Sequence, residues 1–197
     1  MTIKFSQPNI SDGDLNLVKK TIKSGWLTHG KNKIEFEKKF RTFTGSKYCL
    51  TVSSCTAALH LSCLALGLRR GDEVIVPAMS HTATSHAVEY TGAKAVFVDV
   101  DLISGNINPQ NILKKINKKT KAIIIVHMAG LSCDIDKLVK ICKKFKLKII
   151  EDCAHSVGTK FKSKHVGNFG ISGCFSFYPT KQITTGEGGM LVSNNKS

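Results

Sequence analysis

Short apolar runs recur along this chain at intervals that leave room for a helix between them, and that alternation restricts the fold more than any other feature. The runs are KYCLTV (47–52), EVIVP (73–77), KAVFVDV (94–100), KAIIIVHM (121–128), LKIIED (147–152), GCFSFY (173–178) and GMLVS (189–193). Each has the length of a strand, and several are rich enough in Val and Ile to be buried on both faces. Between them lie helical patterns. In DIDKLVKICKKF, residues Ile135, Leu138, Val139, Cys142 and Phe145 recur at helical spacing with lysines opposite, so this helix is expected to cover the sheet. SSCTAALHLSCLALG begins at a Ser able to cap, is apolar nearly all round and stops at Gly67, which predicts a buried helix with a glycine terminus. The class this predicts is α/β.

A chain of 197 residues can bury a sizeable core, so one large domain with a short extra arm is expected. The balance of 29 Lys and Arg against 14 Asp and Glu gives +15. Such a charge suits nucleic acid, a membrane surface or small phosphorylated ligands, and selects none of them. Much of it lies in runs such as 31–39 and 114–121, which alternate with apolar positions as solvated helix faces do. The seven cysteines include no C-x-x-C pair, and several sit inside apolar runs, which fits a reduced, cytoplasmic setting. No apolar segment approaches the roughly 20 residues that span a bilayer, and MTIKFSQPNISDGD lacks the apolar core of a secretory signal. A soluble, intracellular protein is expected, with no membrane or nucleic-acid partner.

In α/β sheets ligands bind beyond the carboxyl ends of the strands. Those ends here carry SSCT, AMSHTAT, HMAG, the pair Glu151 and Asp152, and PTK. VSSCTAAL feeds small hydroxyl residues into a helix start, which suits an anion, although Ser before an apolar helix is also an ordinary cap. Asp152 closes an apolar strand and needs either a salt bridge or another partner there. Lys181 is either a further surface lysine or an amine held beside the TTGEGG backbone. An anion site, a carboxylate and an amine together match pyridoxal 5'-phosphate, which needs one of each. His29, His60, His86, His127 and His165 show no metal-like spacing, and no metal site is expected.

The segments GWLTHGKNKIEFEKKF, SSCTAALHLSCLALGLRRGDEVIVPAMSHTATSHAVEYTGAKAVFVDVD, VHMAGLSCDIDKL, EDCAHSVGTKFKSKHVGNFG and FSFYPTKQITTGEGGMLVSN, in this order, carry a resemblance to a known family. From about Gly25 onward the chain resembles the sugar aminotransferases of the DegT/DnrJ/EryC1/StrS group, within the fold-type I pyridoxal-phosphate enzymes. The resemblance implies the large domain of that fold, a mostly parallel seven-stranded sheet flanked by helices. It implies an N-terminal arm over 1–30 and a cofactor-binding domain over 31–197, without the further helices and small C-terminal domain that relatives carry after the GEGG region.

Carried over by position, the resemblance makes Lys181 the catalytic, Schiff-base lysine and Asp152 the partner of the pyridine nitrogen. His155 would lie close to the cofactor. Ser176 would hydrogen-bond its phosphate, with backbone and hydroxyl groups at Cys55 and Thr56; many relatives have Gly or Ala in place of Cys55. His81 falls where relatives stack a ring on the cofactor. The implied reaction moves an amino group from a donor, commonly glutamate, to a nucleotide-linked keto sugar, in a homodimer whose sites are completed across the interface. Lys181 both anchors the cofactor and moves the proton from donor Cα, and a Lys here speaks against the dehydratase branch, which has His. The alternatives are another fold-type I enzyme acting on amino acids and a non-catalytic basic binding or regulatory protein. The absence of nucleic-acid-binding motifs counts against the latter.

Overall fold

The computed structural model describes residues 6–196; residues 1–5, which open the arm expected over 1–30, and Ser197 lie outside the described residues. Its strands in chain order are β1 (Tyr48–Val52), β2 (Glu73–Pro77), β3 (Lys94–Val98), β4 (Thr120–Val126), β5 (Lys148–Asp152), β6 (Lys160–Phe161), β7 (Lys164–His165), β8 (Ser172–Ser176) and β9 (Gly189–Ser193). Seven of them form one sheet in the order β1-β9-β8-β5-β4-β2-β3, while β6 and β7 pair as a separate hairpin. The β2–β3, β2–β4, β4–β5 and β5–β8 pairs are parallel. Those of β9 with β8 and β1 are antiparallel, so β9 alone runs against the rest. The mostly parallel seven-stranded sheet expected from the sequence is present, and its shared direction brings the carboxyl ends of six strands to one edge.

Helices cover both faces because the central strands are apolar on both. Val74, Val76, Ala122 and Ile124 pack with Ala58, Leu59 and Cys63 of α3 (Cys55–Ala65) and Ala87 and Val88 of α4 (Ala83–Glu89). Their neighbours Ile75, Ile123 and Ile125 point the other way, onto Ile112 of α5 (Pro109–Leu113) and Ile135, Leu138 and Cys142 of α6 (Ile135–Phe145). A third cluster joins α2 (Lys31–Thr44) to β8 and β9, where the Phe40 ring lies 5.1 Å from that of Phe175 and 5.6 Å from that of Phe177. Within the expected arm, α1 (Asp12–Lys23) is closed by a reciprocal cap between Ser11 and Asp14 and buries no side chain.

Four local expectations need correction. Residues 114–119 are not a helix face: α5 stops at Leu113, and Asn117 and Thr120 close a turn through Asn117 N–H on Thr120 Oγ1 and Thr120 N–H on Asn117 O. β3 ends at Val98, and Val100 instead bridges Ile107. α3 is not buried all round, since Leu61 and Leu64 are 41% and 49% exposed on its outer side. His165 is no loop residue; it is buried in the β6–β7 hairpin, where Nε2 accepts the Gly158 N–H and Nδ1 donates to Val166 O.

Candidate active site

At the end of β1 the chain turns into α3. Ser54 caps the helix by accepting the Ala57 N–H at 3.1 Å, and the Cys55 and Thr56 N–H groups in the first turn have no carbonyl to reach within the helix. β9 starts directly over this turn. A Cβ on Gly189 would lie 2.4 Å from the Ser54 carbonyl carbon and 2.7 Å from Cys55 N, so only glycine lets the strand approach this closely. Thr56 is half-buried. The Cys55 thiol points inward, toward Cys174 O at 3.3 Å and Asp152 Oδ1 at 3.8 Å. Its side chain therefore lies beside Asp152, and only its backbone faces the helix mouth as the sequence reading required. Burial, reinforced by the Asp152 charge, pushes this thiol well above its ordinary pKa and keeps it a donor.

Asp152 ends β5, the strand between β4 and β8. It is 5% exposed and meets only donors. Thr84 Oγ1 donates to Oδ2 at 2.8 Å, the Ala154 N–H to Oδ1 at 3.1 Å, and Cys55 Sγ lies against Oδ1. Ser80 Oγ stands 2.7 Å from Thr84 Oγ1. No basic side chain forms a salt bridge with this carboxylate among the described residues, so the simplest alternative from sequence is absent.

His155 follows three residues later and is half-buried, with its Nδ1 buried and without a partner among the described residues. Burial lowers its pKa, and the positive charge of Lys181 lowers it further, with Asp152 acting in the opposite sense and His81 adding to the lowering. Lys181, Asp152 and His81 thus all act on His155 through space. Lys181 is half-buried on the turn after β8, where its N–H bonds Tyr178 O at 2.9 Å. The loop behind it closes on itself through Thr185 N–H and Thr184 Oγ1 on Phe177 O and Phe177 N–H on Gly188 O, and Gln182 bonds the His155 carbonyl. TTGEGG is therefore a hydrogen-bonded turn. Ser176, the last residue of β8, is buried and accepts the Tyr178 N–H at 3.3 Å. His81 is exposed and receives the Ala83 N–H on Nδ1 at 3.1 Å, which fixes its ring at the mouth of α4.

One strand end does not join this group. His127, after β4, is fully buried; Nδ1 accepts the Cys133 N–H, so Nε2 carries the proton and donates to Glu151 Oε2 at 3.1 Å. Glu151 also accepts the N–H groups of Gly167, Phe169 and Gly170 at 2.6–2.7 Å. His127, Glu151 and Cys153 stand within 4.8 Å of one another, but both ring nitrogens and both carboxylate oxygens are already engaged by the protein. A groove of about 870 Å³ between α1 and α2, lined in part by Leu17, Trp26, Leu27 and Ile34, shares none of the residues gathered around Asp152. The sequence reading missed Thr84 and Ser80. Their signal was a pair of hydroxyls in the short stretch that leads from a strand end into a helix.

A model of the DegT/DnrJ/EryC1/StrS aminotransferase family matches residues 8–197. The chain is 44% identical over 196 residues to GDP-perosamine synthase of Escherichia coli O157:H7, covering 99% of this chain and 54% of that protein. Among solved structures it superposes with a TM-score of 0.94 on the PLP-form of Spr1654 from Streptococcus pneumoniae, at 33% identity over 100% of this chain and 54% of that one. It also matches Helicobacter pylori PseC, an aminotransferase involved in the biosynthesis of pseudoaminic acid, with a TM-score of 0.92 at 33% identity, over 100% of this chain and 53% of that one. The chain thus spans about half the length of the relatives it matches.

Proposed function

The chain belongs to the DegT/DnrJ/EryC1/StrS aminotransferase family, and on that premise we propose that it supplies the cofactor-binding half of a pyridoxal 5'-phosphate-dependent sugar aminotransferase. The enzyme takes an amino group from an amino acid donor, glutamate, and delivers it to a keto sugar carried on a nucleotide diphosphate. The observation that carries this reading is the convergence of Asp152, His155 and Lys181 at one sheet edge, with a buried carboxylate that meets hydrogen-bond donors and, among the described residues, no salt-bridging cation.

The residues present fit the cofactor. The first-turn N–H groups of α3 and the Ser176 and Thr56 hydroxyls suit its phosphate, and the positive end of the helix favours an anion there. The orphaned His155 Nδ1 suits a polar ring substituent. When bound, pyridoxal 5'-phosphate supplies an aldehyde and an electron-withdrawing ring. Asp152 would face the ring nitrogen as a hydrogen-bond acceptor, and His81 would lie beside the ring. Lys181 would hold the cofactor through its aldehyde, and its amine would move a proton at the donor Cα. His155, with its pKa lowered, stays neutral at pH 7 and does not compete with Lys181 for charge.

Thiols in the free state at all seven cysteines support a cytoplasmic setting. Exposed Leu61 and Leu64 on α3 support the covering of that face by a second subunit, in a homodimer. Borohydride reduction of the protein loaded with pyridoxal 5'-phosphate, followed by peptide mapping, tests the reading. Label on Lys181 is expected; label on another lysine, or none, would overturn it.

A further inference from the structure

We propose that Thr84 and Ser80 are positioning residues: a directed hydroxyl chain from Ser80 through Thr84 fixes the Asp152 carboxylate and keeps the shared proton on the cofactor ring nitrogen. The inference rests on the reading of Asp152 given above.

The direction of the chain follows from proton counting. A carboxylate can only accept, so at 2.8 Å the Thr84 hydroxyl must donate to Asp152 Oδ2. That spends its single proton. The 2.7 Å contact with Ser80 is then a bond in which Ser80 donates and Thr84 accepts. Thr84 is 1% exposed, so water does not offer Asp152 Oδ2 a substitute through this route. On the other oxygen, the Ala154 N–H and the Cys55 thiol complete the set. Donors on both oxygens, from the start of α4, the start of α3 and the end of β5, hold the carboxylate plane against rotation.

The three donors use both carboxylate oxygens as acceptors, which is the role a protonated ring nitrogen needs from its partner. The titratable groups that interact with Asp152 come from other elements: His155 from the loop after β5, Cys55 from α3, Cys153 beside it and Cys174 from β8. Lys181 acts on both His155 and Cys55. Replacing Thr84 therefore changes the hydrogen bonding of Asp152 without removing a charge.

The test uses the polypeptide as its gene encodes it, loaded with pyridoxal 5'-phosphate labelled with 15N in the ring. The 15N resonance separates protonated from neutral ring nitrogen. Thr84→Val is expected to lower the ratio of nitrogen-bound to carboxyl-bound proton by about tenfold, the effect of losing one hydrogen bond to a charged group. Ser80→Ala should move the resonance the same way by less, and Thr84→Ser should hold it at the wild-type position. A Thr84→Val resonance equal to wild type in a folded protein overturns the proposal. Should Thr84→Val not fold, Ser80→Ala decides alone, and an unmoved resonance overturns it. Failure of the unmodified protein to take up the cofactor would instead sink the functional reading on which the inference stands.

Discussion

Glu151 and Asp152 are neighbours in sequence and have opposite fates, because successive side chains on a strand point to opposite faces. Glu151 turns toward His127 and the N–H groups of Gly167, Phe169 and Gly170 and is spent on structure; Asp152 turns toward α3 and α4 and stays available. Asp152→Asn keeps the size and removes the charge. The half-reaction with glutamate should slow by roughly 10- to 100-fold, the loss of a charge-assisted hydrogen bond. Stopped-flow spectra showing a near-normal rate would remove Asp152 from this role. His165 gives a prediction about acid. Burial holds its pKa below the ordinary 6.5, only partly offset by its bond to Val166 O, while Nε2 must stay free to accept the Gly158 N–H. The unfolded chain takes up a proton that the fold refuses, so this contribution is complete above about pH 6.5 and is lost as pH falls through the folded pKa. His165→Gln should flatten the fall of Tm between about pH 7 and pH 5. The slope should shrink without vanishing, because the pKa of His155 is lowered too. An undiminished slope would show that His165 is not a source of the acid sensitivity.

The elements that form the site do so through contacts that no single segment announces. The start of α3 is legible in SSCTAAL as a capped helix, and the structure bears that out with Ser54 and the left-handed Gly67 beyond its end. What the segment does not contain is Gly189, more than a hundred residues later, whose bare Cα lets β9 lie against the Ser54–Cys55 peptide. Gly189→Ala should push β9 off this turn. The expected results are a pyridoxal 5'-phosphate Kd raised at least about tenfold and a stability loss of about 1–3 kcal/mol from overpacking. Fluorescence titration and urea unfolding measure the two, and wild-type values for both would show that the close approach is dispensable. The 114–121 run misled for a physical reason: charge alternating with apolar positions suits a helix face, but Asn117 and Thr120 satisfy each other's backbone and side-chain groups in a turn instead.

At the scale of the whole molecule, many large apolar side chains face outward. Leu102 and Ile103 are 99% and 97% exposed, Trp26 is 68% exposed, and α1 buries nothing. We expect a protein made of residues 1–197 alone to bind ANS strongly, to self-associate in light scattering, and to retain the cofactor weakly. A monodisperse monomer with little ANS binding would contradict this. The alternation of apolar runs with helical patterns determined the α/β class and the positions of all seven strands of the main sheet, because strand and helix periodicities are local properties of the chain. It also marked Asp152 and Lys181 at strand ends, whereas His155 was singled out only by the resemblance to the family. Only the tertiary structure decided that Glu151 is structural, that the Cys55 thiol turns inward, that His127 is sealed away, and that Thr84, backed by Ser80, reaches Asp152. Those outcomes depend on which face of the pleat a side chain takes and on contacts between segments as far as 97 residues apart, which local periodicity does not encode.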